Sequence, residues 1–541
     1  MPLRFQPPAP PAVRSALALF LLGTFSLGLS AAASLPPEIR LLVRPKAGLV
    51  ADAPASAPNP ARYPRFQSPA LDSLGRRFAC GPIQRMCPWD RKEGTFILRF
   101  PRGAVSGKAL LDAYRATGKF DLVELDGIGF GHGAAGSAAV TALAAEGAAA
   151  AADPDDPYFG LQYGLKNPGG KLIEGTQSKA GADIKAVEAW DIHPGSTDIL
   201  VAVLDCGLNT KHPDIASRVW VNKKEIAGNG KDDDGNGYID DINGWSFAND
   251  SQDETVPGTA DVSDGLGHGT NVSGIIGAIG NNGIGMAGVA RCSIMMVKVL
   301  NIENWGYFSW WAAGIRYAVD NGARVINMSM GGPNGNVTAL SSAIAYALQK
   351  NVAVVVSMGN SRSSVPDYPA AFPGVIAVGA TGPDDRWVQS FPWDTSKGSN
   401  FGTHISVCAP GNFIYGLHFS NSNAYDTYWS GTSQAAPHVT GVCALLLAQD
   451  PARKPADLKR LLEAGADDGV GDAKDTPGFD VYYGHGRLNA KRSLAAGISV
   501  ALRTPVPKDP TGLGMVGIPL RDRDALGRRA IGKPPVFLFP Q

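Results

Sequence analysis

Short apolar runs alternate with segments of helical pattern from residue 153 onward. The apolar runs are rich in Val and Ile and lie at residues 199–204, 325–326, 352–356 and 375–378. The helical patterns lie between and after them, at residues 310–321, 339–350, 434–448 and 489–496. Apolar strands interleaved with helices are typical of parallel sheets covered on both faces. The pattern therefore predicts an α/β domain over residues 153–497, built as a three-layer parallel-sheet sandwich.

A smaller unit is predicted before it, over residues 34–152. Two strands are expected at residues 39–43 and 96–100, and a short helix at residues 109–117, which together predict a small α+β fold. Residues 133–152 are mostly Ala, Gly and Ser. Alanine would permit a helix there, but several glycines and the lack of an amphipathic pattern favour a flexible linker. Residues 498–541 are rich in Pro, Gly and Arg, and a poorly structured tail is expected.

The first residues have the pattern of a targeting segment. Arg4 and Arg14 precede an apolar run at residues 16–29, and small residues follow at 31–33. This order is typical of a signal peptide, here residues 1–33. The alternative is a membrane anchor, but a run of about 14 residues is short of the roughly 20 that span a bilayer. The sequence therefore predicts a secreted, extracellular protein with no membrane span in its mature form.

Charge and cysteine content narrow the function classes. Lys+Arg and Asp+Glu both number 49, so no basic excess points to nucleic acid or to an anionic membrane as a partner. No Cys-x-x-Cys pair supports a zinc or redox site. Export makes disulfides feasible, and Cys80 and Cys87 are close enough in sequence to close a small loop. The other four cysteines allow three connectivities, among which the sequence does not choose: Cys206, Cys292, Cys408 and Cys443.

Three local motifs carry candidate chemistry. Asp205 ends an apolar strand, His268 lies in a Gly-His-Gly-Thr segment that opens a helix, and Ser433 lies in a longer motif, residues 430–438, that opens another. A hydrolytic triad needs a hydroxyl nucleophile, an imidazole that takes its proton and a carboxylate that orients the imidazole. The positive end of the helix at Ser433 would also lie near charge that develops on a substrate. The three residues are therefore candidates for a catalytic triad.

Each motif also has an ordinary structural interpretation as a strand end, a loop or a helix start. Their occurrence together, in the order Asp, His, Ser, favours catalysis, because this is the order of the subtilisin arrangement. An esterase or lipase is a further alternative. Those enzymes have a Gly-x-Ser-x-Gly elbow and the order Ser, Asp, His. The sequence around Ser433 lacks that elbow.

Residues 158–494 resemble the subtilisin-like serine proteases. The resemblance is carried by residues 201–205, 267–270, 357–360 and 430–438, in the order of the family. It implies a parallel α/β sandwich and hydrolysis of peptide bonds in proteins or peptides. It also assigns Asn360 to the oxyanion hole, as an amide donor beside the Ser433 N–H group. The chain departs from the family's usual residues at Cys206, Asn271 and Gln434, none of which is a catalytic group.

The resemblance further implies a monomeric enzyme that is made as a precursor. Residues 34–152 take the position of the family's propeptide, which assists folding and acts as an intramolecular inhibitor until it is cut. A catalytically inactive scaffold that binds peptides is the alternative from another class. The intact triad motifs and Asn360 favour the enzyme.

An acidic loop predicts a structural Ca²⁺ site. The side chains of Asp232, Asp234 and Asn236 match positions 1, 3 and 5 of a calcium loop, with a Tyr238 carbonyl at position 7 and Asp240 at position 9. Position 12 is Asn243 rather than the bidentate glutamate. A solvated acidic turn is the alternative, but hard oxygen ligands and export favour the ion, and members of the family often carry calcium on surface loops.

The family also suggests where a substrate lies. An extended peptide is expected to pair with a strand that is formed by Ser329, Met330 and Gly331. Ser357, Met358 and Gly359 are expected to wall the S1 pocket, which receives the residue before the cut bond (P1). Asp367 could point into this pocket and favour Lys or Arg at P1, or turn to solvent and leave a broad apolar preference.

Overall fold

The computed structural model describes most of the chain. The described residues are 38–51, 65–81, 83–86, 94–103, 105–136, 153–171, 176–248, 258–333, 335, 337–420, 424–425 and 427–501. The expected signal peptide lies outside them, as does the expected tail beyond residue 501. No helix within these residues is long and apolar enough to cross a membrane.

The N-terminal unit is a four-stranded antiparallel sheet in the order β4-β5-β1-β6, with two helices on one face. Its elements are β1 Glu38–Pro45, β2 Val50–Ala51, β3 Arg65–Phe66, α1 Pro69–Arg77, β4 Gln84–Arg85, β5 Phe96–Pro101, α2 Gly107–Ala116 and β6 Phe120–Leu125. Leu41 and Val43 pack with α2 on that face, whereas Leu42 and Ile97 face the larger unit and join its core. This is the α+β arrangement that the pattern predicts.

The C-terminal unit contains the predicted alternation of strands and helices. Two short strands precede it, β7 Ile128–Gly131 and β8 Ala134–Gly136. Its elements are β9 Gly170–Lys171, β10 Gln177–Ser178, α3 Ala186–Trp190, β11 Gly195–Asp205, β12 Gly244–Ser246, α4 His268–Gly277, β13 Arg291–Lys298, β14 Trp305–Tyr307, α5 Phe308–Asp320, β15 Val325–Met328, β16 Met330–Gly331, α6 Thr338–Gln349, β17 Ala353–Ser357, β18 Ile376–Thr381, β19 Val407–Pro410, β20 Ile414–Tyr415, β21 Tyr428–Ser430, α7 Thr432–Gln449, α8 Pro455–Gly465 and α9 Ala490–Ala501.

Seven of these strands form one parallel sheet in the order β12-β13-β11-β15-β17-β18-β19. Successive side chains of β11 alternate between two cores. Val201 and Val203 pack on the side of α4 and α7, whereas Ala202 and Leu204 pack on the side of α5 and α6. Period-two alternation into two apolar layers requires cover on both faces. The predicted three-layer α/β sandwich is therefore confirmed.

The two units are joined by a crossing segment, residues 127–136. Strand β7 lies between β14 and β16 and is antiparallel to both, and β8 pairs with β21. The expected linker at residues 133–152 therefore begins with a strand, because residues 134–136 find a partner in β21. The rest of that linker lies outside the described residues.

The described cysteines do not form the disulfides that export would permit. Cys206, Cys292, Cys408 and Cys443 are buried thiols without a bonded partner, so none of their three connectivities forms. Cys292 and Cys443 pack in the apolar core, in which a thiol behaves as a small apolar side chain, whereas the Cys206 thiol donates to Asp264 and the Cys408 thiol to the Tyr482 carbonyl oxygen. The expected loop between Cys80 and Cys87 includes Cys87, which lies outside the described residues, and Cys80 is a free thiol.

Candidate active site

Asp205 and His268 meet at the carboxyl end of the central strand. Asp205 is the last residue of β11 and His268 the first residue of α4, and both are fully buried. His268 Nδ1 lies 2.8 Å from Asp205 Oδ1, which also accepts the Cys206 N–H at 2.8 Å. The ring of Trp429 contacts the imidazole edge-on, with centroids 5.4 Å apart. This environment fixes the imidazole and leaves Nε2 as its free reactive nitrogen.

The loop before α4 is held by one carboxylate. Asp264 accepts hydrogen bonds from the backbone N–H groups of Leu266, Gly267 and Thr270, and from the Thr270 hydroxyl. It thereby satisfies donors at the helix N-terminus that have no partner within the helix. The geometry of Asp264 explains why His268 begins the helix in a defined position.

Ser433 lies in the first turn of α7. Its hydroxyl donates to the Ser329 carbonyl oxygen at 3.0 Å, while His268 Nε2 has no hydrogen-bond partner among the described residues. A Cβ built on Gly133 would lie 3.1 Å from His268 Nε2 and 3.2 Å from Ser433 Cβ. Gly133 therefore lies between the two groups, and rotation about the Ser433 χ1 angle is needed to turn the hydroxyl toward Nε2.

The His132 carbonyl group points to the N-terminus of α7. Its oxygen accepts the Ser433 N–H at 3.0 Å. Asn360 is oriented by Thr432, whose N–H and hydroxyl both donate to Asn360 Oδ1 at 2.9 Å. A Cβ added to Gly431 would collide with the His132 oxygen and lie 2.9 Å from Asn360 Nδ2. Because Gly431 has no side chain, the His132 carbonyl oxygen and the Asn360 Nδ2 atom can both lie close to its Cα.

Main-chain pairing holds the crossing segment on both sides of Ser433. Gly131 and Phe130 pair with Met330 and Gly331, and the His132 N–H donates to the Ser329 carbonyl oxygen at 3.0 Å. On the other side, residues 134–136 pair with β21. The strand that the family suggested for substrate thus carries the chain's own residues 130–132.

The His132 side chain occupies the expected S1 pocket. Its Nδ1 lies 2.9 Å from Ser357 Oγ, and its Nε2 lies 3.7 Å from Asp367 Oδ2. A Cβ built on Gly359 would collide with the Asp367 carboxylate. Met358 contributes its carbonyl oxygen, which accepts a hydrogen bond from Asn400, while its side chain belongs to the core. Of the two orientations expected for Asp367, the structure has the one that points into the pocket.

Burial shifts the ionisation of the groups in and beside this pocket. It raises the pKa of Asp367 to about 6, against a lowering hydrogen bond from Asn400. It lowers the pKa of His132 to about 3, and the nearby His268 lowers it as well. Burial also raises the pKa of Cys206 far above its usual value, as do the charges of Asp264 and Asp205. The Cys206 thiol is therefore protonated and weakly nucleophilic, although it lies beside Asp205.

The acidic loop brings only part of the predicted calcium ligands together. Asp232 and Asp234 have carboxylate oxygens within 4.8 Å of one another and of Glu225. The carboxylate of Asp240 instead accepts the backbone N–H groups of Asn229 and Gly230. The Asn236 side-chain oxygen accepts the Tyr238 N–H. Three carboxylates with oxygens this close together are a set of hard oxygen donors of the kind that Ca²⁺ prefers.

Three residues of these sites were missed by the sequence analysis. His132 and Gly133 fall at the edge of an Ala/Gly-rich stretch with no distinguishing pattern, so no local signal could mark them. Glu225 lies before the loop motif and outside its register. It contributes a third carboxylate beside those of Asp232 and Asp234. A search for acidic residues just upstream of the loop could have found it.

Comparisons with known proteins find relatives of this chain. A family model described as the subtilase family matches residues 196–486. Thermitase of Thermoactinomyces vulgaris is 34% identical over 344 residues, 63% of this chain and 99% of thermitase. Subtilisin E of Bacillus subtilis strain 168 is 34% identical over 300 residues, 54% of this chain and 65% of that protein.

A solved structure is also similar. Fervidolysin of Fervidobacterium pennivorans, a keratinolytic enzyme related to subtilisin, matches with a TM-score of 0.58 and 25% identity, covering 85% of this chain and 61% of that chain. The fold and these relatives define a serine-type endopeptidase, a hydrolase that acts on proteins. The chain belongs to the subtilase family, as the resemblance of its motifs predicted.

Proposed function

We propose that the chain is a secreted serine endopeptidase, made as a precursor that cuts itself, with Asp205, His268 and Ser433 as its triad. The observation that carries the proposal is the contact of 3.0 Å between the Ser433 N–H and the carbonyl oxygen of His132, a residue of the chain itself. Export is supported by the sequence pattern of residues 1–33.

The triad works by proton transfer through the imidazole. Ser433 Oγ gives its proton to His268 Nε2 and bonds to the carbonyl carbon of the substrate. Asp205 holds Nδ1–H and stabilises the imidazolium ion that forms. The imidazolium then protonates the leaving amine, which breaks the C–N bond and leaves an acyl-enzyme, and water completes hydrolysis by the same route.

Asn360 and the Ser433 N–H would stabilise the oxyanion. The carbonyl oxygen of the substrate becomes negatively charged as Oγ bonds to carbon. N–H donors that are already in position stabilise such a developing charge strongly. Losing one donor typically lowers the turnover rate by a factor of about 10²–10³, for which subtilisin is the general example. The fixed orientation of Asn360 by Thr432 supports this role.

The first substrate in this proposal is the His132–Gly133 bond of the precursor. Residues 130–132 occupy the strand site formed by Ser329, Met330 and Gly331, and Gly133 lies between His268 and Ser433. A cut there would release residues 34–132 as the propeptide. Before release, the same residues fill the cleft and would act as an intramolecular inhibitor.

Calcium is proposed as a structural ion of the acidic loop. Asp232, Asp234 and Glu225 would hold it, and the fit rests on carboxylate oxygens that lie within 4.8 Å of one another and on their hard oxygen chemistry. Because the ion would bind the folded loop and not the unfolded chain, it would stabilise the folded state.

A direct test compares Ser433→Ala with wild type in casein hydrolysis and in labelling by a fluorophosphonate, which reacts with activated serines. Wild type should hydrolyse casein and take the label, and Ser433→Ala should do neither while staying folded. Ser396→Ala, which changes an exposed serine outside the candidate triad, is the matched control. Labelling of Ser433→Ala equal to wild type would contradict the triad, and an unlabelled, folded wild type would favour the inactive scaffold.

A further inference from the structure

We infer that the S1 pocket selects histidine at P1, with Ser357 and Asp367 as its specificity-determining residues. The inference rests on the proposed function and names the substrate class of that same site. A pocket carboxylate alone would favour lysine or arginine at P1, so the inference names a different side chain.

The two pocket groups match the two ring nitrogens of a neutral imidazole. One ring nitrogen accepts a hydrogen bond and the other donates one. The Ser357 hydroxyl lies 2.9 Å from Nδ1 and can donate to it, which leaves Nε2–H directed at the Asp367 carboxylate, 3.7 Å away. A leucine or phenylalanine would offer the Ser357 hydroxyl no acceptor and would leave Asp367 with Asn400 as its donor, and burying an unpaired polar group costs free energy.

The carboxylate is held in place by its surroundings. Asn400 is buried and donates both to Asp367 Oδ2 at 3.1 Å and to the Met358 carbonyl oxygen at 3.0 Å. The next residue, Tyr368, is fixed by two main-chain hydrogen bonds with Gly332, at 2.8 and 3.0 Å. Asp367 is therefore positioned before a substrate arrives.

The imidazole of His132 and the Asp367 carboxylate fit beside two residues that lack side chains, Gly331 and Gly359. A Cβ on Gly331 would lie 3.0 Å from His132 Nε2, and a Cβ on Gly359 would collide with Asp367. Lysine and arginine carry their charge on longer stems, which would overshoot a carboxylate that is already near Nε2. Neither offers an acceptor for the Ser357 hydroxyl.

The test uses the mature enzyme and a set of quenched fluorescent peptides that differ only at P1, with His, Leu, Phe, Lys or Arg. The histidine peptide should exceed each of the others in kcat/KM by at least about tenfold, because none of the other side chains offers an acceptor to the Ser357 hydroxyl. Asp367→Ala and Ser357→Ala should each reduce the ratio of the histidine to the leucine rate. Two variants are used so that a folding defect in one does not decide the outcome.

Asp198→Ala is the matched control, since this exposed aspartate lies at the opposite end of β11 from the site, and it should keep the wild-type ratio. The inference is overturned if leucine, phenylalanine, lysine or arginine equals histidine in wild type, or if the histidine preference survives both pocket variants. Fluorophosphonate labelling of wild type separates the two claims. A labelled enzyme without histidine preference refutes only the pocket, whereas an unlabelled enzyme that cleaves no peptide refutes the proposed function.

Discussion

Single hydrogen bonds decide which groups of the site are reactive. The Asp205 carboxylate holds His268 Nδ1, so the free nitrogen faces Gly133 and Ser433. The Ser433 hydroxyl rests on the Ser329 carbonyl oxygen. In the proposed mechanism the Ser433 side chain turns from the Ser329 carbonyl oxygen toward His268 Nε2, which takes it from one staggered rotamer to another.

The pH dependence of cleavage should differ between P1 residues. A free histidine ionises near pH 6.5, but burial lowers the pKa of His132 in the pocket to about 3. The pocket thus binds the neutral ring, and acid removes that form from the free peptide. Asp367 faces the ring, and its pKa is raised by burial to about 6, so its protonation on acidification also weakens the pairing.

We therefore expect the ratio of histidine to leucine kcat/KM to fall as the pH is lowered from about 8 to about 5. Effects of pH on the triad act on both peptides and cancel in the ratio. A ratio that rises in acid would instead indicate an imidazolium ion paired with the Asp367 carboxylate.

At the scale of elements, two carboxylates of the N-terminal unit cap the N-termini of two helices of the larger unit. Helices α5 and α6 follow Tyr307 and Val337, which make no side-chain cap. Asp126 accepts the Ser309 N–H at 3.0 Å, and Glu124 accepts the N–H groups of Thr338 and Ala339 at 3.0 and 3.2 Å. Carboxylates are stabilising at helix N-termini. The caps thus come from a distant part of the chain.

Loss of one such cap should weaken the precursor. In the Ser433→Ala background, which keeps the chain uncut, Glu124→Ala should lower the free energy of unfolding by about 1 kcal/mol. Urea denaturation measures this change. Asp121→Ala is the control, since Asp121 is exposed on the same strand, β6, and should have little effect. Equal destabilisation by the two variants would contradict the capping role.

The acidic loop gives a second prediction at this scale. Excess EDTA should lower the thermal unfolding midpoint of wild type, because an ion at 100 times its dissociation constant stabilises by roughly 2.7 kcal/mol. Asp234→Ala should respond to EDTA less than wild type does. Differential scanning calorimetry with and without Ca²⁺ measures both shifts. The same EDTA response in the variant and in wild type would exclude this loop as the site.

At the scale of the whole molecule, the features that could be predicted were those marked by a local pattern of residues. Apolar runs such as residues 199–204 are long enough to mark buried strands, so the three-layer sheet followed from them. The path of residues 127–136 could not be predicted, because a segment rich in Gly and Ala has no strong preference of its own. Its strands form only because β14, β16 and β21 offer free edges, which are far away in sequence.

The residues of the candidate site also fall into two groups: those that a local motif marks and those that only the folded chain positions. Asp205, His268, Ser433 and Asn360 lie in motifs with fixed neighbours, which is why the sequence could name each of them as a candidate. The direction of the Asp367 side chain depends on Asn400 and Gly359, which only the folded chain places beside it. The number and spacing of the cysteines did not predict their state, because nothing in the sequence indicated that the four buried cysteines would remain free thiols.

The central claim is that Ser433 cuts the His132–Gly133 bond of its own chain. The most direct measurement is mass spectrometry of the purified precursor and of the N-terminal fragment that it releases. Wild type should release a fragment that ends at His132, and Ser433→Ala should remain uncut at this bond under the same conditions. A Ser433→Ala chain cut after His132 at the wild-type rate, or an active wild type whose fragment ends elsewhere, would contradict the account.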